Sequence, residues 1–158
     1  APQPLISYYE NQLILAEASA RLGLYTDALN ALNSVRTNLN NGIFNGRTFS
    51  NINRRYDAYT LSDFGPSGLA NPNNSSNLQV ALLYEIISQR YICFLMQYEA
   101  FNDYRRLASA IPSVQLPIPL YAGVQKPQRF IYPQVEINTN PNVPKPLADQ
   151  FTKLPLYP

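Results

Sequence analysis

The sequence predicts an all-α fold, and three observations carry that prediction. Two stretches near the start keep apolar residues at spacings of three and four across a short turn, which reads as an antiparallel helical hairpin over 5–39. A later stretch, 78–108, holds the same period along its whole length. The segments between and after them, 40–77 and 109–158, are dominated by Asn, Gly, Ser and Pro, the residues of loops and turns. At 158 residues the chain fits a single domain, 1–158, with a core of its own.

In the first helix, 5–22, Ile6, Tyr9, Leu13, Ala16 and Ala20 form the apolar face, and Gly23 is the predicted stop. Thr26 is the predicted N-cap of the second helix. Its face is Ala28, Leu29, Leu32, Val35 and Leu39, with the stem of Arg36. Ala16, Gly23, Tyr25, Ala28, Leu32 and Val35 stand where a tetratricopeptide repeat places its small and bulky packing residues. One such repeat leaves a face to be covered by a neighbour. The loop 40–77 scatters Phe44, Phe49, Tyr56, Tyr59 and Phe64 among polar residues, and loops of this length are often functional. Over 78–108, Val80, Leu83, Ile87, Tyr91, Phe94, Leu95, Tyr98 and Phe101 define one long helix. Further apolar residues off that face predict burial on more than one side. The Pro-rich tail, 109–158, is expected to be extended or turned, with room for one short strand pair. Phe130, Ile131, Tyr132, Val135 and Ile137 are expected to dock it.

Composition narrows the function. Only 14% of residues are charged, against 46% hydrophobic, with 12 Tyr and 14 Pro, so the surface is polar but weakly charged and suits neutral partners. A net charge of +2 gives no nucleic-acid footprint. The absence of histidine removes Ser-His-Asp and Cys-His catalysis and every His-ligated metal site. One cysteine, Cys93, allows no internal disulfide and no Cys-pair zinc site, and within "YICFLM" it reads as a small buried hydrophobe. No cofactor or metal is expected. No apolar run reaches the roughly 18 residues that a membrane span needs, and "APQPLISYY" has neither the charged nor the apolar region of a signal peptide.

Motifs of chemistry are sparse. "DFG" at 63–65 lacks every companion of the kinase magnesium site. Asp57 and Asp63 could be set as a glycosidase carboxylate pair, but 10 acidic residues supply such pairs by accident, and no catalytic residue is assigned. "YEAFNDYRR", 98–106, concentrates charge and aromatic rings. Asp103 and Arg106, three apart, can pair on one helix face, and Glu99 shares that face with Asp103. Arg105 and Arg106 complement the helix dipole in the last turn, while Tyr98 and Phe101 continue the apolar stripe. The stretch reads as a structural clamp that ends a helix.

That stretch also resembles the "EAW-x-D-[WY]-RR" segment of the SusD/RagB family, the surface nutrient-binding lipoproteins of Bacteroidota. Phe101 stands here in the place of the Trp. Two more segments resemble the family in the same order. "LISYYENQLILAEASARLG" is similar to its "I-[ST]-Y-x-E-x-x-L-x-x-AEA" helix at Tyr8, Glu10, Leu13, Ala16, Glu17 and Ala18. "RFIYPQVEINTNPNV" is similar to its closing segment at Arg129, Tyr132, Pro133, Glu136, Asn138, Asn140 and Asn142.

The resemblance implies a superhelix of tetratricopeptide-like helix pairs on the outer face of the outer membrane, non-catalytic capture of oligosaccharide or, in some members, peptide, and delivery to a SusC-like TonB-dependent transporter. It also implies that the chain is the C-terminal part of such a protein, with the N-terminal helices and the lipid-bearing cysteine, its only tie to the membrane, lying outside it. Sugars offer apolar C–H faces and a rim of hydroxyls, so flat rings and Arg or Asn side chains suit them. In the loop, Phe49, Arg54, Arg55, Tyr56 and Tyr59 supply these types together and are the expected ligand contacts. A protein–protein scaffold built on the hairpin and a carbohydrate-active hydrolase are the competing readings.

Overall fold

The computed structural model describes residues 6–41, 56–108, 110, 112–116 and 125–152. The described residues are all-α, with helices α1 (Tyr8–Arg21), α2 (Tyr25–Asn40), α3 (Leu78–Cys93), α4 (Tyr98–Arg106) and α5 (Gln134–Thr139), and a short 3-10 turn at Leu61–Phe64. No described helix is long and apolar enough to cross a membrane. The chain divides into two compact units, Ala1–Phe101 and Asn102–Pro158.

In the first unit, α1 packs against both α2 and α3. Ser7 caps α1, its hydroxyl accepting the Glu10 N–H at 3.1 Å. That cap places Ile6 outside the helix and exposed, not on its apolar face. The other predicted positions, Tyr9, Leu13, Ala16 and Ala20, are buried. Gly23 ends the helix at φ +79°. Its N–H meets the Ala20 carbonyl and the Leu24 N–H meets that of Ser19, the paired bonds of a Schellman turn. Because that turn ends on Leu24, the chain enters α2 at Tyr25. Thr26 therefore lies inside the helix rather than at its cap, and the N-cap, Leu24, makes no side-chain bond. Ala16 and Ala28 are fully buried, and the absence of longer side chains there suits close packing within the hairpin. The α2 face buries Ala28, Leu29, Leu32, Val35 and Arg36, with Leu39 half-buried.

Asn77 caps α3 through the N–H groups of Gln79 and Val80. Gln79 reaches across to α1, its amide donating to the Ala20 and Arg21 carbonyls at 2.9 and 3.1 Å and so satisfying the end of that helix. The α3 stripe is wider than its period suggested, burying Leu82, Leu83, Ile86, Ile87, Gln89 and Arg90. The expected single helix over 78–108 is instead two helices. The chain leaves the helix after Cys93, turns at Met96 with φ +68°, and restarts at Tyr98. Phe94 stays in the core through the turn, so the apolar spacing survives a break that spacing alone does not reveal.

Before α3, the loop 60–77 folds on buried Asn71. Its amide donates to the Gly65 and Ser75 carbonyls, and its oxygen accepts the Ser75 N–H, all within 3.0 Å. In the second unit, Asp103, Leu107, Val114 and Val143 are buried. The tail holds a helix, α5, where a strand pair had room, and no strand occurs among the described residues. Pro133 sets φ at −58° just ahead of α5, a value already helical. Of the predicted docking residues, Tyr132 and Ile137 are half-buried, whereas Phe130, Ile131 and Val135 are exposed.

Candidate functional site

The described end of the aromatic loop is an extended segment, 56–59, gripped by one stripe of α2. Asn40 takes the Tyr56 N–H on Oδ1 at 2.8 Å and donates Nδ2 to the Tyr56 carbonyl at 3.1 Å. Asn33 repeats the arrangement on Tyr59, at 2.8 and 2.9 Å. Between them, Arg36 donates Nε to the Asp57 carbonyl at 2.8 Å. The match is metric. Asn33 and Asn40 are seven positions apart, roughly 10.5 Å of helix rise. Tyr56 and Tyr59 are three apart, about 10 Å of extended chain. Side-chain amides thus supply to this segment the donors and acceptors that a neighbouring strand would supply in a sheet.

A polar network lies beneath. The buried Arg36 guanidinium sits 3.7 Å from the centroid of the Tyr59 ring and 5.8 Å from that of Tyr56, with Nη1 3.9 Å from Glu85 Oε1. Glu85 also accepts from the Tyr59 hydroxyl at 3.1 Å and from the Gln89 amide at 2.9 Å. The Tyr59 ring packs edge-on against fully buried Phe64. Burial and the Glu85 carboxylate push the Tyr59 phenol above its usual value, against the opposing pull of Arg36. Asp63 closes the next turn, accepting the Thr60 N–H and hydroxyl at 2.7 and 2.8 Å. These bonds hold its carboxyl below the usual range. A glycosidase acid needs the opposite shift, so Asp63 has the electrostatics of a cap.

Of the five predicted contacts, Phe49, Arg54 and Arg55 lie outside the described residues. Tyr56 and Tyr59 are brought to one face of α2, both half-buried, and Tyr59 is engaged on ring and hydroxyl alike. Asn33 and Asn40 escaped the sequence reading, and Arg36 entered it only through its stem on the apolar face of the second helix. Their signal was available as polar residues at i, i+3 and i+7, the spacing of one helix face.

The "YEAFNDYRR" stretch behaves as a clamp. Arg106 Nη2 donates to Asp103 Oδ1 at 2.8 Å, and Asp103 is buried. Arg105 bridges Asn102 Oδ1 at 2.7 Å and the Gln128 carbonyl at 3.2 Å. In the closing segment, Asn140 accepts the Asn142 N–H on Oδ1 at 2.9 Å and donates its amide to Glu136, setting the turn that carries buried Val143. Replacing Asp103 with alanine is expected to destabilise the protein by about 1 kcal/mol, the net value of one hydrogen bond, since the partly exposed Arg106 loses this partner. An unchanged urea midpoint would contradict the clamp.

Cys93 is half-buried rather than buried. Burial pushes its thiol from 9.0 up to about 11, against a smaller pull from Arg90. Alkylation at pH 8 is therefore expected to run about a hundredfold slower in the native than in the unfolded protein, because the thiolate is the nucleophile. The sign for stability follows: the contribution is complete below pH 9 and is lost as pH rises through about 11. Equal native and unfolded alkylation rates would contradict the shift.

Among the described residues no group of three or more Cys, Asp or Glu side chains is placed to hold a metal ion. No protein-family model matches the chain, and neither the curated proteins nor the solved structures yield a match.

Proposed function

We propose that this chain is the C-terminal part of a SusD-like surface protein that binds oligosaccharide without cleaving it and hands it to a SusC-like TonB-dependent transporter. The reading rests on one observation: three segments, 5–23, 98–106 and 129–143, resemble the family's motifs in the family's order. An all-α chain that opens on a hairpin is compatible with its tetratricopeptide-like architecture. Several of the resembling residues hold the fold together. Glu17 pairs with Arg21 at 2.9 Å, Asp103 with Arg106, and Glu136 with Asn140. They speak to architecture, and ligand chemistry falls to the loops. The proposed contacts are therefore those of the aromatic loop, Phe49, Arg54, Arg55 and Tyr56, with Tyr59 as the ring that holds the loop to α2.

Calorimetric titration of the protein with a panel of oligosaccharides and peptides, coupled to product analysis, tests this. Saturable binding of an oligosaccharide with no product released is the expected result. Tyr56→Ala should weaken that binding about tenfold, or 1.4 kcal/mol, while Tyr59→Phe should leave it unchanged. Cleavage of the sugar, or full affinity in a folded Tyr56→Ala variant, would overturn the reading.

One observation favours a protein-scaffold alternative. Ile14, Leu15, Ala18 and Leu22 form an exposed apolar stripe on α1. Capture of the transporter with no sugar or peptide bound would select it.

A further inference from the structure

Local sequence and local structure disagree at residues 94–97. Leu95, Met96 and Gln97 are strong helix formers, and no Pro or Gly lies between Leu78 and Phe101. The apolar period continues through Tyr91, Phe94, Tyr98 and Phe101. Yet α3 stops at Cys93, and Met96 occupies φ +68°, a left-handed conformation that disfavours any residue with a Cβ. The turn is held at Phe94, whose ring is buried. Its N–H meets the Arg90 carbonyl and its own carbonyl takes the Gln97 N–H, both at 2.9 Å. Leu95 has only a long bond, 3.5 Å, to the Ile92 carbonyl. Around the turn, Leu95, Met96 and Tyr98 are 56%, 96% and 72% exposed. Conflicts of this kind concentrate at functional or strained positions.

We propose that residues 94–97 are a conformational switch, a helix break that closes to give one helix from Leu78 to at least Phe101. On closure the N–H groups of Leu95, Met96 and Gln97 take the carbonyls four residues back, those of Tyr91, Ile92 and Cys93. Met96 leaves the left-handed region. Tyr98, four positions after Phe94, comes onto the same helix face as that buried ring. The break instead presents Leu95 and Met96 to solvent. The switch thus decides whether Tyr98 stands in solvent or on the helix face of buried Phe94, and it stands independently of the oligosaccharide reading.

Two variants of the full chain test it, Met96→Gly and Met96→Ala. Glycine accepts the left-handed turn without strain, so Met96→Gly should raise Tm by about 2–4 °C. Alanine favours the closed helix. In Met96→Ala, amide exchange at residues 95 and 96 should slow at least about tenfold relative to Met96→Gly after correction for intrinsic rates, since closure replaces the long Leu95 bond and gives the residue-96 N–H the Ile92 carbonyl, whereas the Gln97 N–H only exchanges one acceptor for another. A lower Tm for Met96→Gly would mean that the segment is already helical in solution. Equal exchange in the two variants would mean that the break does not close. Either result overturns the switch.

Discussion

Replacing Arg36 with alanine is expected to lower the unfolding free energy by about 3–5 kcal/mol, the range for removing one partner from a buried charge pair. The guanidinium contributes on three sides: it donates to the Asp57 carbonyl, covers the Tyr59 ring and faces Glu85. Without it Glu85 keeps the Tyr59 hydroxyl and the Gln89 amide as donors but loses the cation beside it. Arg36→Met separates the contributions, because it retains the apolar stem and removes only the charge and its hydrogen bonds. A second readout follows from the phenol. Arg36 holds the Tyr59 pKa down against burial and Glu85, so in Arg36→Met the tyrosinate absorbance of this ring should appear at still higher pH. A urea midpoint within experimental error of wild type would show that the network is incidental to stability.

Gly68→Ala should be nearly as severe, at about 3 kcal/mol, the upper end for forcing extra volume into packed structure. A Cβ at this position falls 2.2 Å from the Asp63 carbonyl oxygen and 2.5 Å from its carbon. Both atoms are backbone, and that same carbonyl accepts the Ala70 N–H at 2.9 Å, so neither can withdraw without breaking the loop's own bonds. Tm should fall by roughly 6–12 °C. Gly65→Ala is the control: its Cβ would stand 3.3 Å from the Ser62 carbonyl, a contact that a small shift relieves. Equal Tm values for the two variants would refute the steric argument.

The hairpin was legible because its residues satisfy two demands at once. Leu13, Ala16, Ala28, Leu32 and Val35 keep the helical period and are also the buried residues, while Gly23 marks the one left-handed position between the helices. The site was less legible. Tyr56 and Tyr59 were singled out by residue type, yet of the side chains that position them Asn33 and Asn40 are polar residues on a helix that read as solvent-facing, and Arg36 was placed on the apolar face by its stem alone. Only the path of a distant segment turns them into a docking stripe. The break at 94–97 was hidden for a related reason. Apolar spacing reports which side chains are buried, and Phe94 is buried with or without a continuous helix. Asn71, in a run read only as loop, anchors that loop from its interior.

The matching of α2 to the segment 56–59 bears on which changes of chain length this protein tolerates. The two Asn clamps act as fixed posts, and the chain between them is measured on each side. One residue inserted between Tyr56 and Tyr59 adds about 3.3 Å and breaks the correspondence. One inserted between Asn33 and Asn40 rotates the second post by about 100° around the helix. The chain between Asn40 and Tyr56, which are sixteen positions apart, is joined at its ends by the first clamp. Closing a longer loop there costs only about 0.6 kcal/mol per doubling of length. Changes in length should therefore collect between Asn40 and Tyr56 and be absent from the two measured spans, so that this stretch of sequence can grow or shrink while the footing of 56–59 on α2 stays in place.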